Sequence, residues 1–270
     1  MQLKTRLRDS GIKFKPKLIA DVLMHTVPIE NRTFFYYSLI TSILRGNPSF
    51  NSYLGSKEVI VKFDGLKWAI NRDTGLGALY AKYIEPIVYE IIVGSRGELF
   101  VDVGANIGAY SLRAAKKFKH VLAIEPGYVA GSHLLHNIHI NGLQNVDLRK
   151  VAVSDKVGNA MIYATNSLVN WSLHQDYNKS LNSFEVQTVT LNKLLAPFKE
   201  EIDLVKIDVE DSELEVLKGS SDVLHKIRKI IIEVQNIHEF QALSLLKSYG
   251  FDCKCIEERE SDKNWFCQIK

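Results

Sequence analysis

Apolar and polar positions along this chain alternate between two periods. Leu99–Val103 is a short β-branched apolar run, the mark of a buried strand, interrupted only by Asp102. A turn over Gly104–Gly108 follows. Ile107, Tyr110, Ala114 and Phe118 then recur at helical spacing. The next strand, Val121–Glu125, ends on a carboxylate. A helix packing through Leu134, Leu135 and Ile138 stops at Asn141-Gly142, and Asp147–Val153 reads as a third strand. Met161–Ala164 and Glu185–Leu191 read as strands around a polar segment, Asn166–Ser183, which carries Asn170, Trp171 and His174. Ile202–Asp208 is the fourth strand. A helix opened by the capping box Ser212-Glu-Leu-Glu215 runs from it to Gly219. Lys229–Val234, carrying Glu233, is the fifth strand, followed by a helix over Ile237–Ser248 that ends at Gly250. Phe251–Ile256 and Asn264–Ile269 form a closing antiparallel pair. Strands alternating with helices predict an α/β fold, with a parallel sheet covered on both faces.

Upstream, Glu58–Phe63 and Lys67–Asn71 flank Asp64-Gly65 as a β-hairpin, and Pro86 opens a helix ended by Gly94. Residues 1–55 read as a separate helical segment punctuated by Pro16, Pro28 and Pro48, with apolar clusters at Leu18–Met24 and Phe34–Leu44. This suits a cap over the substrate pocket or a homodimer contact. The chain therefore divides into a helical segment 1–55, a hairpin and helix 56–95, and the α/β domain 96–270. Phe34–Leu44 falls short of the ~20 apolar residues of a membrane span, and no apolar leader follows the basic start; a cytoplasmic protein is expected.

The strand–glycine turn–helix at Gly104–Gly108 lets a ligand approach the backbone and aims helix N–H groups at it. Glu125, 21 residues after Gly104, can accept both hydroxyls of a ribose. The dinucleotide fingerprint is G-x-G-x-x-G, whereas this chain reads Asp102-x-Gly104-x-Asn106-x-Gly108, with two glycines and an acid before the first. That acid repels a pyrophosphate and suits a cation such as the ammonium of a methionine moiety. The pattern favours S-adenosylmethionine over NAD, held by Asp102, Gly104, Ala105, Asn106, Gly108 and Glu125. The alternative is a structural glycine turn with no cofactor.

Val101-Asp-Val-Gly-Ala-Asn-Ile-Gly108, Ala123-Ile-Glu-Pro126, Asn141-Gly142, Val151-Ala-Val-Ser-Asp155 and Lys206-Ile-Asp-Val-Glu210 come in the order and spacing of the FkbM family. Tyr83-Ile-Glu-Pro86 resembles a further segment that the family carries before its first strand. The resemblance spans about Glu58–Asn236. It implies an S-adenosylmethionine-dependent methyltransferase with a class I Rossmann-like sheet, mostly parallel with an antiparallel C-terminal strand, and makes 96–270 the catalytic domain. It also places Ser154 and Asp155 where class I members contact adenine. Asp155 could accept from the exocyclic amine or simply turn the chain, since Asp-Lys-Val-Gly is turn chemistry. The chain departs from the family at Asp211-Ser212, where members carry Gly-Ala; the change adds a charge and a side chain beside the pocket.

Methyl transfer to a hydroxyl needs positioning and removal of a proton, for which a positioned base supplies about 10²–10⁴-fold. Candidate catalytic residues are Asp208, Glu210, Glu233 and His174. Asp208 and Glu210 are favoured because they stand at the carboxyl edge of the sheet, where ligands of open α/β folds bind. Glu213 and Glu215 read as charges favouring a helix N-terminus. The spacing Asp-x-Glu-Asp permits a divalent metal without requiring one, and no metal ligand is assigned. The expected acceptor is a hydroxyl on a small molecule or glycan; an RNA methyltransferase or a non-catalytic cofactor-binding scaffold are the alternatives.

Charge bears on that choice. Of the net +3, residues 1–20 hold +5, so the remainder sums to −2. The α/β domain has no broad basic face and no N/D-P-P-Y/F motif, which argues against nucleic acid as partner. Cys253, Cys255 and Cys267 are the chain's three cysteines. They read as buried free thiols, with Cys253 and Cys255 on one strand face and Cys267 opposite.

Overall fold

The computed structural model describes residues 27–33, 35–37, 58–71, 77–167, 170–172 and 183–270. Strand β1 (Val27–Pro28) pairs antiparallel with β2 (Val59–Phe63), which folds back on β3 (Leu66–Ile70). Asp64 and Gly65 both have positive φ, 53° and 69°, as a tight two-residue hairpin turn demands. Pro28 stands in an edge strand, where its missing N–H costs least, so residues 1–55 are not purely helical as expected. Residues 32, 33 and 35–37 are helical; Leu18–Met24 and most of Phe34–Leu44 lie outside the described residues. Two short helices follow, α1 (Gly77–Ile84) and α2 (Pro86–Gly94), the second beginning at proline and ending at glycine as read from the sequence.

The core comprises β4 (Gly97–Val103), α3 (Ser111–Ala114), β5 (Phe118–Ile124), α4 (Tyr128–Ile140), β6 (Val146–Arg149), β7 (Ala152–Val153), β8 (Gly158–Ser167), β9 (Asn170–Ser172), β10 (Ser183–Val189) and α5 (Leu191–Leu195). It closes with β11 (Leu204–Ile207), α6 (Glu213–Lys218), β12 (Lys229–Gln235), α7 (Glu239–Ser248), β13 (Phe251–Glu258) and β14 (Asp262–Ile269). Seven strands form the main sheet in the order β13-β14-β12-β11-β4-β5-β6. The run from β6 to β12 is parallel and β14 is antiparallel to both neighbours. This is the expected sheet with its antiparallel C-terminal strand. All four residues of β11 are buried, because helices cover both faces. Strand order reverses between β4 and β11, and the carboxyl ends at such a switch point are where open α/β sheets form their ligand crevice.

The hairpin is bolted to this core. Arg113, on α3, is buried; its guanidinium lies 4.9 Å from the Trp68 ring centre and 5.2 Å from that of Tyr89, and pairs with Asp64 at 3.0 Å. Asn137 of α4 accepts from Ala69 N–H at 2.8 Å and donates to the Ile107 carbonyl at 3.1 Å. No described helix is long and apolar enough to cross a membrane.

Several elements depart from the sequence reading. The helix after the glycine turn is a single turn: the left-handed backbone at Asn106 and Gly108 delays its start, and Phe118 opens β5, paired with Gly97, instead of continuing it. The third strand splits: β6 stays in the main sheet, while Ala152–Val153 leaves after Arg149-Lys150 to pair with β10 in a second sheet, ordered β7-β10-β8-β9. Leu191 begins α5 instead of ending a strand, since the Thr190 hydroxyl caps the Lys193 N–H at 3.2 Å. Leu135, expected in the packing face of α4, is 38% exposed.

The cysteines are also corrected. Antiparallel register sets Cys253 directly opposite Cys267, and the two form a disulfide; Cys255 is the free thiol. Alkylation of the unfolded, unreduced protein is therefore expected to modify Cys255 alone, and all three cysteines after reduction. Mass spectrometry showing three modified thiols before reduction would refute the pairing.

Candidate functional site

At the end of β4 the chain turns beneath the end of β11. A Cβ on Gly104, whose φ is +83°, would stand 1.8 Å from the Asp208 carbonyl oxygen, so only glycine fits. A Cβ on Gly108, at φ +94°, would stand 2.3 Å from Leu112 Cδ1 and 2.5 Å from Leu134 Cδ1. The N–H groups of Gly104 and Ala105 both donate to the Ile124 carbonyl, at 2.9 and 3.0 Å. Asn106 is left-handed, with φ 52°.

Glu125 braces this turn from the neighbouring strand. Its two oxygens accept from Asn106 N–H at 2.8 Å and Gly127 N–H at 2.6 Å. Burial pushes its carboxyl up to about 7, against the pull of those two N–H groups. Asp102 is 1% exposed. One oxygen accepts from the Ser111 hydroxyl at 2.6 Å; the other is buried with no hydrogen-bond partner. Burial also raises Asp102, while Lys206 pulls it down. An orphaned carboxylate oxygen just before this turn fits a cationic ligand end. Ser154 is buried and held by the Val189 carbonyl at 3.0 Å, with its hydroxyl 3.3 Å from the exposed carboxylate of Asp155.

Across the switch point stands a charged cluster. Carboxylate oxygens of Glu85, Asp208 and Glu233 lie within 4.8 Å of one another. Two cations answer them, Lys206 buried and Arg259 half-buried. Lys206 Nζ is 2.9 Å from Asp208 and 5.0 Å from the Tyr110 ring centre. Arg259 reaches Glu85 and Glu233 at 2.6 Å and Asp262 at 2.8 Å. Burial alone would lower both cations, yet the surrounding carboxylates hold each above its ordinary range. Burial and the Asp208 charge push Glu233 well up. The Tyr110 hydroxyl and the Asn264 side-chain amide also donate to Glu85. Because Lys206 and Arg259 already engage these carboxylates, a metal ion there would have to displace an ammonium or a guanidinium.

The structure thus brings Asp208 and Glu233 together and sets Glu210 two residues on, in a left-handed turn with φ 52°. His174 lies outside the described residues. The expected capping box is not made: the Ser212 side chain makes no cap bond, and Glu213 takes the Asp211 N–H instead, at 3.0 Å. Glu85, Lys206, Arg259 and Tyr110 were not singled out as site residues. Lys206 carried a signal, because a charge inside an apolar central strand needs a buried partner. Arg259, in the polar turn between the last two strands, carried none. A cavity of about 490 Å³ at the free edge of β6, lined by Leu135, Leu148, Lys150 and Lys193 among others, includes none of the candidate site residues.

Residues 102–253, more than half of the chain, match the family model described as the Methyltransferase FkbM domain. Methyltransferase sdnD of Sordaria araneosa is 27% identical over 210 residues, 64% of this chain and 81% of that protein. Methyltransferase 1 of Beauveria bassiana is 24% identical over 188 residues, 60% and 76% of the two chains. Among solved structures, Methyltransferase FkbM from Methylobacillus flagellatus aligns with a TM-score of 0.47 and 13% identity, covering 96% of this chain and 60% of that one.

Removing Arg259 would leave Glu85 and Glu233 buried without their countercharge. Arg259→Ala is expected to cost about 3–5 kcal/mol in urea unfolding, and Arg259→Lys less. Gly104→Ala is expected to cost about 2–4 kcal/mol, because strand ends must part to admit the methyl group. A shift below 0.5 kcal/mol (roughly the neutral range for surface changes) in either variant would contradict the geometry.

Proposed function

This chain belongs to the FkbM methyltransferase family, and from that premise we propose that it carries a methyl group from S-adenosylmethionine to a hydroxyl of a small molecule or glycan. S-adenosylmethionine, when bound, supplies a methyl group already activated by its sulfonium. The protein's share is then positioning, which can lower a barrier by up to ~7–11 kcal/mol, and removal of the acceptor proton. The observation that carries the cofactor reading is the orphaned, buried oxygen of Asp102, two residues before the tight turn that Gly104 and Gly108 allow. In this reading Asp102, Gly104, Ala105, Asn106 and Gly108 hold the amino-acid end. Glu125 takes the ribose hydroxyls, and Ser154 with Asp155 flanks the adenine.

Asp208 is the base this arrangement favours. The side chains of Glu85 and Glu233 are 11% and 9% exposed and both locked onto Arg259, whereas that of Asp208 is 26% exposed. Glu210 is the second candidate. Lys206 and Arg259 are both committed to carboxylates, so the crevice carries an acid excess. A neutral hydroxyl acceptor suits that field, and the phosphates of RNA do not.

Incubating the protein with methyl-tritiated S-adenosylmethionine and fractionated extract is expected to label a small polar product. Label confined to RNA would replace the acceptor assignment, and cofactor binding without any label would favour a scaffold. Asp102→Ala and Glu125→Ala are each expected to weaken cofactor binding by about tenfold or more, read by calorimetry; unchanged affinity would sink the site assignment.

The pH dependence has a definite sign. Glu125 accepts ribose hydroxyls best when ionised, and its carboxyl titrates at about 7. Affinity is therefore expected to rise as pH climbs through 7 (about one proton released on binding) and to level off above. Glu125→Gln should flatten the profile.

A further inference from the structure

Glu210 and Asp211 stand side by side in the left-handed region, with φ of 52° and 83°, and neither is glycine. Such backbone persists only where its surroundings over-determine it. Two contacts from different elements do so here. Glu213, in the first turn of α6, accepts from the Asp211 N–H at 3.0 Å. His238, at the start of α7, sets Nε2 3.1 Å from Asp211 Oδ1, close enough for an ion pair when the imidazole is protonated, although the pair lacks hydrogen-bond geometry; the Glu213 bond is therefore the firmer of the two. Glu213 is 1% exposed and its second oxygen is buried without a partner, so this carboxyl is not merely a solvated helix-start charge. The segment also touches the cofactor cradle: the Asp208 carbonyl, three residues before Asp211, packs on Gly104 so closely that a methyl group there would overlap it.

We infer that Glu213 and His238 are positioning residues that act through Asp211: together they hold the strained turn that presents Asp208 and Glu210 to the acceptor, and the Asp211 carboxylate is kept for that tether. The inference rests on the function proposed above. It separates local strain from overall stability. Glycine adopts positive φ without penalty, so Asp211→Gly removes the strain and the tether together.

The test compares wild type with Asp211→Gly, His238→Ala, Glu213→Ala and Glu213→Gln. Four quantities are read: melting midpoint, cofactor affinity by calorimetry, amide exchange of the peptide spanning 208–213, and initial rate with the extract fraction that accepts label from methyl-tritiated S-adenosylmethionine. Asp211→Gly is expected to keep or raise the midpoint and leave cofactor affinity within about twofold. Its initial rate should fall about 10- to 100-fold, as for a reacting group set slightly out of place. Exchange at the turn should quicken by about tenfold in Asp211→Gly, His238→Ala and Glu213→Ala. Glu213→Gln, which keeps the acceptor oxygen, should restore most of the rate lost in Glu213→Ala.

A full initial rate in Asp211→Gly, or unchanged exchange in all variants, overturns the inference. So does a midpoint that falls in step with the rate, which would mark the turn as structural only. Wild-type protein that binds cofactor yet labels nothing refutes the proposed function itself, and with it the purpose given to the turn; active wild type with an equally active Asp211→Gly refutes the positioning role alone.

Discussion

Arg259 ties the segment that enters α2 to the last strands of the main sheet. It projects from the turn between the last two strands and meets Glu85, which precedes α2, together with Glu233 on β12 and Asp262 on β14. Glu85 and Arg259 are 174 residues apart in sequence. Without that guanidinium, three mostly buried carboxylates would crowd one end of the sheet. Buried ion pairs of this kind add little net stability over well-packed apolar side chains, while losing one member is costly. The network therefore explains how the upstream helix is registered against the crevice better than it explains why the fold is stable.

Lys206 works on the same principle one strand over. In register it sits beside Asp102, and its ammonium reaches Asp208, so one cation faces both halves of the crevice. Among the described groups at this edge, Asp102, Glu85, Asp208 and Asp262 stand against Lys206 and Arg259, while burial pushes a fifth carboxyl, Glu233, toward its neutral form. A field of that sign attracts a sulfonium and an ammonium and repels phosphate, which ties the cofactor reading and the acceptor reading to one cause. The crevice lies where strand order reverses, so the topology puts this charge where a ligand can reach it.

What the sequence disclosed was local. The hairpin around Asp64-Gly65, the proline and glycine bounding α2, the glycine turn and the carboxylate at Glu125 were all legible, because each is set by a few adjacent residues. Features set by distant partners were not. Nothing near Arg259 announces Glu85. The disulfide needed the register of β13 against β14 before Cys253 and Cys267 could face each other. The split of the third strand depended on β10, which offers Ala152 a partner away from the main sheet. The capping box failed for a related reason: its composition is right, yet packing buries the Ser212 hydroxyl where it finds no partner and makes no cap bond.

Glu213 and Glu215 show why composition alone misleads at such a helix start. Both are acids in the first turn of α6, and both would favour its dipole if ionised. Burial pushes Glu213 up to about 8, with Asp208 and Asp211 adding to the shift, so near neutral pH it is largely uncharged. A neutral carboxyl still accepts the Asp211 N–H through one oxygen, and it does so without adding a further negative charge beside Asp208 and Asp211. The same burial that cancels its value to the helix dipole thus lets it brace the turn, while leaving the charge of the crevice to the residues exposed to a ligand.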